Sequence, residues 1–220
     1  MVIAIDGPAG SGKSTVARRL AERLGFTYID TGAMYRGVAL LAMRLGVALD
    51  EAAALEQLAH NARLRFNAAN HLCAGDEDLS GLIRTPEVSE AASRVSTIHG
   101  VRRELVEIQQ RMGRDGNVVM EGRDIGTVVF PNAEVKVFLS ASPEARGKRR
   151  FAEHPDGPPL ADVIAQIRER DARDTERDHS PLRAADDAVS IDSTAIPPDE
   201  VVERIASLTL ERSVIVKDTR

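Results

Sequence analysis

The sequence predicts an α/β fold: a central five-stranded parallel sheet flanked by helices, with a small antiparallel insert. Three observations carry this expectation. Short β-rich apolar runs alternate with helical patterns, a glycine-rich loop joins the first run to the first helix, and the alternation breaks near residue 61. Strands connected through helices return in the same direction, so the sheet is parallel.

Residues 2–5 (VIAI) form an apolar run stopped by Asp6 and Gly7, as in a strand buried on both faces. A helix follows the glycine-rich loop, with Val16, Leu20 and Leu24 on one face and Gly25 at its end. Residues 27–29 read as a second strand. Asp30, Thr31 and Gly32 then turn into a helix carrying Met34, Val38 and Leu41, and the Ala-rich residues 51–54 are ordinary helix. Past residue 61, residues 63–66 and 71–74 read as short strands around turn-like residues 67–70, with more turn signals at Gly75-Asp76 and Ser80-Gly81. Thr85, Pro86 and Glu87 supply a capping hydroxyl, a proline at the first helical position and a first-turn acid. Val101, Leu105, Ile108 and Met112 keep the helical period up to Gly113.

The core resumes with strands at 117–120 and 135–139. Helices at about 143–153 and 160–176 flank the breaker-rich HPDGPP, and a last strand (188–191) and helix (199–210) follow. The tail SVIVKDTR is ambiguous. The expected division is a core of residues 1–60 and 101–220 with an insert at 61–100.

Composition narrows the function. A chain of 220 residues with 43% apolar residues can bury a full core. Its charged residues are of both signs with a net charge of −5, which argues against a broad nucleic-acid-binding face. The single cysteine, Cys73 between Leu72 and Ala74, forms no intramolecular disulfide and reads as a small buried residue. No apolar run approaches the ~20 residues of a membrane span, and a cytoplasmic location is expected.

GPAGSGKST, residues 7–15, carries the strongest chemistry. Gly7, Gly12, Lys13 and Ser14 match the phosphate-loop pattern of P-loop NTPases. Glycines let consecutive N–H groups turn toward phosphate oxygens, and Pro8, Ala9, Gly10, Ser11 and Thr15 complete the cradle. Lys13 reaches the β- and γ-phosphates, the Ser14 hydroxyl suits Mg²⁺, and the helix start adds its dipole. The motif follows a strand and opens a helix, so a nucleoside triphosphate such as ATP binds here.

Two further loops leave the carboxyl edge of the sheet, where ligands sit in open α/β folds. In IDTGAMYR, Thr31, Tyr35 and Arg36 suit a phosphate near a helix start, although a capping threonine and a solvated arginine look the same. In EGRDIGTVVFP, Arg123 and Asp124 lie between Gly122 and Gly126, which suggests close packing around a ligand rather than an idle surface pair. In IRERDARDTERDHSPLR, Arg170, Asp174 and Arg177 share one helix face. Residues 168–178 hold four arginines and five acids, so this is no polybasic patch.

Positive charge on both sides of a transferring phosphoryl group points to an acceptor that is itself a phosphate. Such an acceptor is already ionised and needs no general base. None is evident, since His60, His71, His99, His154 and His179 are scattered. Asp6 and Asp30, each ending a strand, remain open as base or as support for Mg²⁺.

Together these motifs, in this order and spacing, resemble the bacterial-type cytidylate kinases, and the resemblance runs over essentially the whole chain. It implies that Gly7 to Thr15 hold ATP with Mg²⁺, and that Lys13, Arg123 and Arg177 are catalytic. It further implies that Arg36, Arg123 and Arg177 grip the phosphate of CMP or dCMP, that Arg170 and Asp174 contact its sugar, and that Thr31 and Tyr35 line the pocket. Ser93, Arg102 and Asp124 resemble the base-reading set. A carboxylate and a hydroxyl accept from the cytosine amine while arginine donates to its acceptors, a pattern that uracil reverses. Thr31 stands where some relatives have serine, which keeps the hydroxyl. The resemblance also implies a short lid at about residues 154–182 that excludes water. A monomer acting on small molecules is the expected form. The nearest rivals are another monophosphate acceptor and a nucleotide-gated switch. The sequence lacks the Asn-Lys-x-Asp motif of GTPases.

Overall fold

In a computed structural model, residues 1–153 and 155–218 are described, with the backbone alone for 214–218. His154 and the last two residues of the tail lie outside the described residues. The chain divides into two compact units, residues 1–28 with 116–220, and residues 29–115.

β1 (Val2–Asp6) leads through the glycine-rich loop into α1 (Lys13–Leu24), then β2 (Thr27–Asp30) and α2 (Thr31–Leu45). α3 (Ala52–Asn61), β3 (Leu64–Phe66), β4 (Leu72–Ala74), β5 (Glu77–Asp78), α4 (Pro86–Val95) and α5 (His99–Gly113) follow. The rest is β6 (Val118–Gly122), a π-helical turn (Ile125–Val129), β7 (Val135–Ser140), α6 (Pro143–Glu153), α7 (Leu160–Glu176), β8 (Val189–Asp192) and α8 (Pro198–Asp218).

The parallel sheet has the order β2-β6-β1-β7-β8, five strands as the sequence predicts. Its central strands are buried because each contributes an apolar run: Ile3, Ala4 and Ile5 of β1 and Val119 and Met120 of β6 are fully inaccessible to solvent. Val16 and Leu20 of α1 join Val137, Leu139, Ile191, Val201 and Ile205 in one core. Gly25, in the left-handed conformation, closes α1. The register pairs Asp6 with Gly122 and with Phe138, so the loops after β1 and β6 leave the sheet at the same height, while β7 runs on two residues to Ser140. That common edge gathers the site.

The second unit has its own core: Met34 and Val38 of α2, Leu55, Leu72, Leu79, Val95, Val101 and Leu105. Thr85 caps α4 through its hydroxyl, as expected. The antiparallel sheet β3-β4-β5 has one strand more than the sequence reading contains. Glu77 and Asp78 are exposed and show no apolar alternation, so only backbone pairing with Ala74 and Cys73 makes them a strand. Cys73 is buried, as its neighbours suggest. α5 starts at His99, two residues before its first apolar position, and Gly113 ends it from within. The ambiguous tail continues α8 to Asp218.

Candidate active site

Gly7 leaves β1 with φ of 149°, and a Cβ there would lie 2.0 Å from the Leu139 carbonyl oxygen. The loop lies against β7, and only glycine fits. Side chains of the same unit hold the outward carbonyls of the loop. Lys13 Nζ donates to the Pro8 oxygen at 2.7 Å, Arg146 Nη1 to Ala9 at 3.1 Å, Arg149 Nη1 to Gly10 at 3.4 Å and Ser193 Oγ to Ser11 at 2.9 Å. A trans peptide carries its carbonyl and the next N–H on opposite sides, so anchoring the carbonyls turns the N–H groups into the loop. The Ser11 N–H also reaches back to the Pro8 carbonyl at 3.4 Å. Ser14 and Thr15 are exposed at the first turn of α1, with a hard hydroxyl oxygen at Ser14 of the kind Mg²⁺ takes.

Lys13 is buried, and its amine is pushed down to about 7, first by burial and then by the Arg123 charge; Glu121 and Asp6 pull it partly back. Glu121, also buried, accepts a hydrogen bond from the Tyr28 hydroxyl. Burial raises Asp6 to about 6, although the N–H groups of Gly126 and Ile125 oppose the rise. Those two N–H groups reach the Asp6 carboxylate at 2.7 and 2.8 Å. Asp6 thus fastens the segment after β6, where Phe130 N–H donates to the Ile125 carbonyl at 2.7 Å in the wide π-type spacing. Gly126 is small for the same reason: a Cβ would meet Lys136 at 3.2 Å and the Asp6 carboxylate at 3.4 Å. At Gly126 the close packing is therefore against the protein itself.

Arg123 Nε donates to Asp174 at 2.9 Å, 51 residues along the chain. Burial would raise the Asp174 carboxyl, but the charges of Arg123, Arg170 and Arg177 outweigh it and hold the group below the ordinary carboxylate range. Arg170 and Asp174 lie on α7, and Arg177 is its C-terminal cap, with Nε donating to the Ser180 carbonyl at 2.6 Å. Asp124 is buried just before the π-helical turn. These residues and the phosphate loop therefore belong to one unit.

The second unit carries the other candidates. Asp30 caps α2 by accepting the Ala33 N–H at 2.9 Å, and its other oxygen pairs with Arg36 at 2.8 Å. The capping carboxylate and the arginine one turn along thus form one device. Arg36 Nε is buried and has no hydrogen-bond partner among the described residues. Thr31 is buried in the first turn of α2. Arg102 of α5 is buried, donates to the Ser96 carbonyl at 3.2 Å and lies 5.4 Å from the centre of the Tyr35 ring. Ser93 is buried in α4.

Sequence reasoning missed Glu121, Arg146, Arg149, Asp171 and Ser193. Glu121 and Ser193 stand at strand ends, a signal that was available. Arg146 and Arg149 lie in the basic helix α6, where neither period nor motif separates a buried arginine from a solvated one.

A nucleotide loop beside a carboxylate that gathers arginines defines a phosphate-loop phosphotransferase. The gluconokinase structure from Sinorhizobium meliloti shares the fold at 17% identity and a TM-score of 0.52, over 100% of this chain and 97% of that one. The family model for cytidylate kinase matches residues 3–211. The cytidylate kinase of Geobacter sulfurreducens is 48% identical, over 96% of this chain and 94% of its own. That of Solibacter usitatus is 50% identical, over 96% and 93%. The chain belongs to the cytidylate kinase family, and so to the nucleoside monophosphate kinases.

Proposed function

We propose that the chain transfers the γ-phosphoryl group of ATP to CMP and dCMP, giving CDP or dCDP and ADP. A phosphate oxygen of the acceptor attacks the γ-phosphorus; that P–O bond forms as the bond to the β,γ-bridging oxygen breaks, and ADP departs. The attacking oxygen is already an anion, so no proton has to be removed. The task for the protein is to bring two anions together and stabilise the charge between them.

Lys13 and the loop Gly7 to Thr15 take the triphosphate. Ser14, together with the nucleotide, would hold Mg²⁺, which would supply charge neutralisation on the phosphates. Arg36, Arg123 and Arg177 are assigned to the acceptor phosphate, and Arg170 and Asp174 to its sugar. Thr31 and Tyr35 line the pocket, and Ser93, Arg102 and Asp124 read the base. In this reading residues 61–100 serve acceptor binding within a core of 1–60 and 101–220, and the segment at about 154–182 closes as a lid. Asp6 and Asp30 act through hydrogen bonds, Asp6 on the Ile125–Gly126 backbone and Asp30 on Arg36. The enzyme works as a cytoplasmic monomer on small molecules, without nucleic acid.

The observation that carries the reading is the set of three arginines around the buried Asp174. An arginine cluster organised by a carboxylate is suited to an anionic acceptor, whose charge has to be offset before it can approach a second phosphate. The test is ADP release over a panel of CMP, dCMP, UMP and AMP. CMP and dCMP are expected to be fastest, and equal or faster turnover of AMP sinks the reading. Arg123→Ala is expected to cost about 2–5 kcal/mol in kcat/KM, as for loss of a buried charge partner. Undiminished activity in that variant removes Arg123 from the site.

A further inference from the structure

We infer that Arg146 is a positioning residue that ties the phosphate loop to the arginine-bearing helix α7, so that a carboxylate of α7 sets the geometry of the ATP site. This rests on the reading of residues 7–15 as the ATP site. The Arg146 side chain is only 3% exposed. A buried guanidinium is costly unless paired, and all three nitrogens of this one donate a hydrogen bond. Its Nε donates to the Ala141 carbonyl at 2.9 Å, and Nη1 to the Ala9 carbonyl at 3.1 Å. Nη1 and Nη2 also fork onto the two carboxylate oxygens of Asp171, at 3.0 and 2.5 Å. One planar group thus spans the end of β7, the phosphate loop and α7.

The chemistry follows from the peptide plane. Ala9 C=O and Gly10 N–H belong to one rigid unit and point opposite ways. Holding the carbonyl therefore aims the N–H that meets phosphate. Gly10 packs closely here, since a Cβ on it would lie 3.3 Å from Arg146 Cβ. Asp171 sets the plane of the guanidinium through the bidentate pair, which adds geometric constraint as well as energy. Asp171 directly follows Arg170 and lies three residues before Asp174. A carboxylate on the helix of the acceptor-side arginines thereby controls a donor-side N–H.

This makes an unusual prediction of sign. Asp171→Asn removes a negative charge beside a polyanion site, so charge alone would tighten ATP binding. Loss of the fork would weaken it. MgATP titration calorimetry without any acceptor reads the difference and does not depend on which monophosphate is used. We expect Asp171→Asn and Arg146→Lys each to weaken MgATP binding at least about fivefold, with the KM for CMP changed less than about twofold. The double variant should be no worse than the poorer single, as for residues that act as a unit. Unchanged or tighter binding in Asp171→Asn overturns the inference, as do losses that multiply in the double variant. Thermal unfolding of each variant separates these effects from collapse. If Arg146→Lys does not fold, the more exposed end of the pair, Asp171, still decides the sign. Failure of the wild-type acceptor panel would refute the proposed substrate and leave this coupling untouched.

Discussion

Lys13 holds the sharpest compromise between folding and function. Its amine is buried and its pKa is pushed to about 7 by burial and by Arg123. A bound triphosphate would return it toward its ordinary value, so MgATP binding at pH 8 should take up a proton. Calorimetry in buffers of different ionisation enthalpy measures that uptake, and Lys13→Met should abolish it. The same shift has a signature in stability. The unfolded chain keeps the Lys13 proton up to about pH 10, while the folded chain releases it near 7, so this group makes stability rise between those values. Below pH 7 both states are charged and the burial penalty is complete. Lys13→Met is therefore expected to raise Tm relative to wild type at pH 6, with the gain shrinking toward pH 9. Asp30 allows a cleaner separation of roles, because asparagine also caps helices. Asp30→Asn should leave Tm nearly unchanged yet raise the KM for CMP about tenfold, since Arg36 loses the partner that fixes it. An unchanged KM would mean that the ion pair does not orient the arginine for binding.

Among the elements, those with strong apolar periods and clear caps stand where the sequence puts them. Thr85 and Pro86 open α4, and Val101 and Leu105 sit fully buried on α5. Thr85→Ala should cost about 0.5–2 kcal/mol through the lost cap. Leu105→Ala should cost about 2–5 kcal/mol through the cavity left in the core of the second unit. Chemical denaturation measures both. A Leu105→Ala loss below that of Thr85→Ala would contradict the assigned core. β5 and the π-helical turn were not legible, for different reasons. β5 is two exposed acids with no apolar alternation, a strand only through backbone pairing with Cys73 and Ala74 just before it, whereas the turn is held by the Asp6 carboxylate 119 residues away.

At the scale of the whole molecule, the acidic balance matters more than any single patch. A net charge of −5, with arginines gathered around Asp174, argues against a broad cationic face. Labelled duplex DNA at 150 mM salt should show no anisotropy change at micromolar protein, and saturable binding there would reopen a nucleic-acid role. Among the described residues no helix is long and apolar enough to cross a membrane.

The succession of the longer strands and helices and the glycine-rich nucleotide loop were legible in the sequence alone. Those features depend on periods, turns and spacing within a few residues, which the linear chain displays. The tertiary structure alone decided which charges meet. Arg123 pairs with Asp174, Asp6 fastens the Ile125–Gly126 backbone, and Arg146 joins a loop to a helix. Such pairings depend on the sheet register that brings distant strand ends to one height, and no local pattern encodes that register.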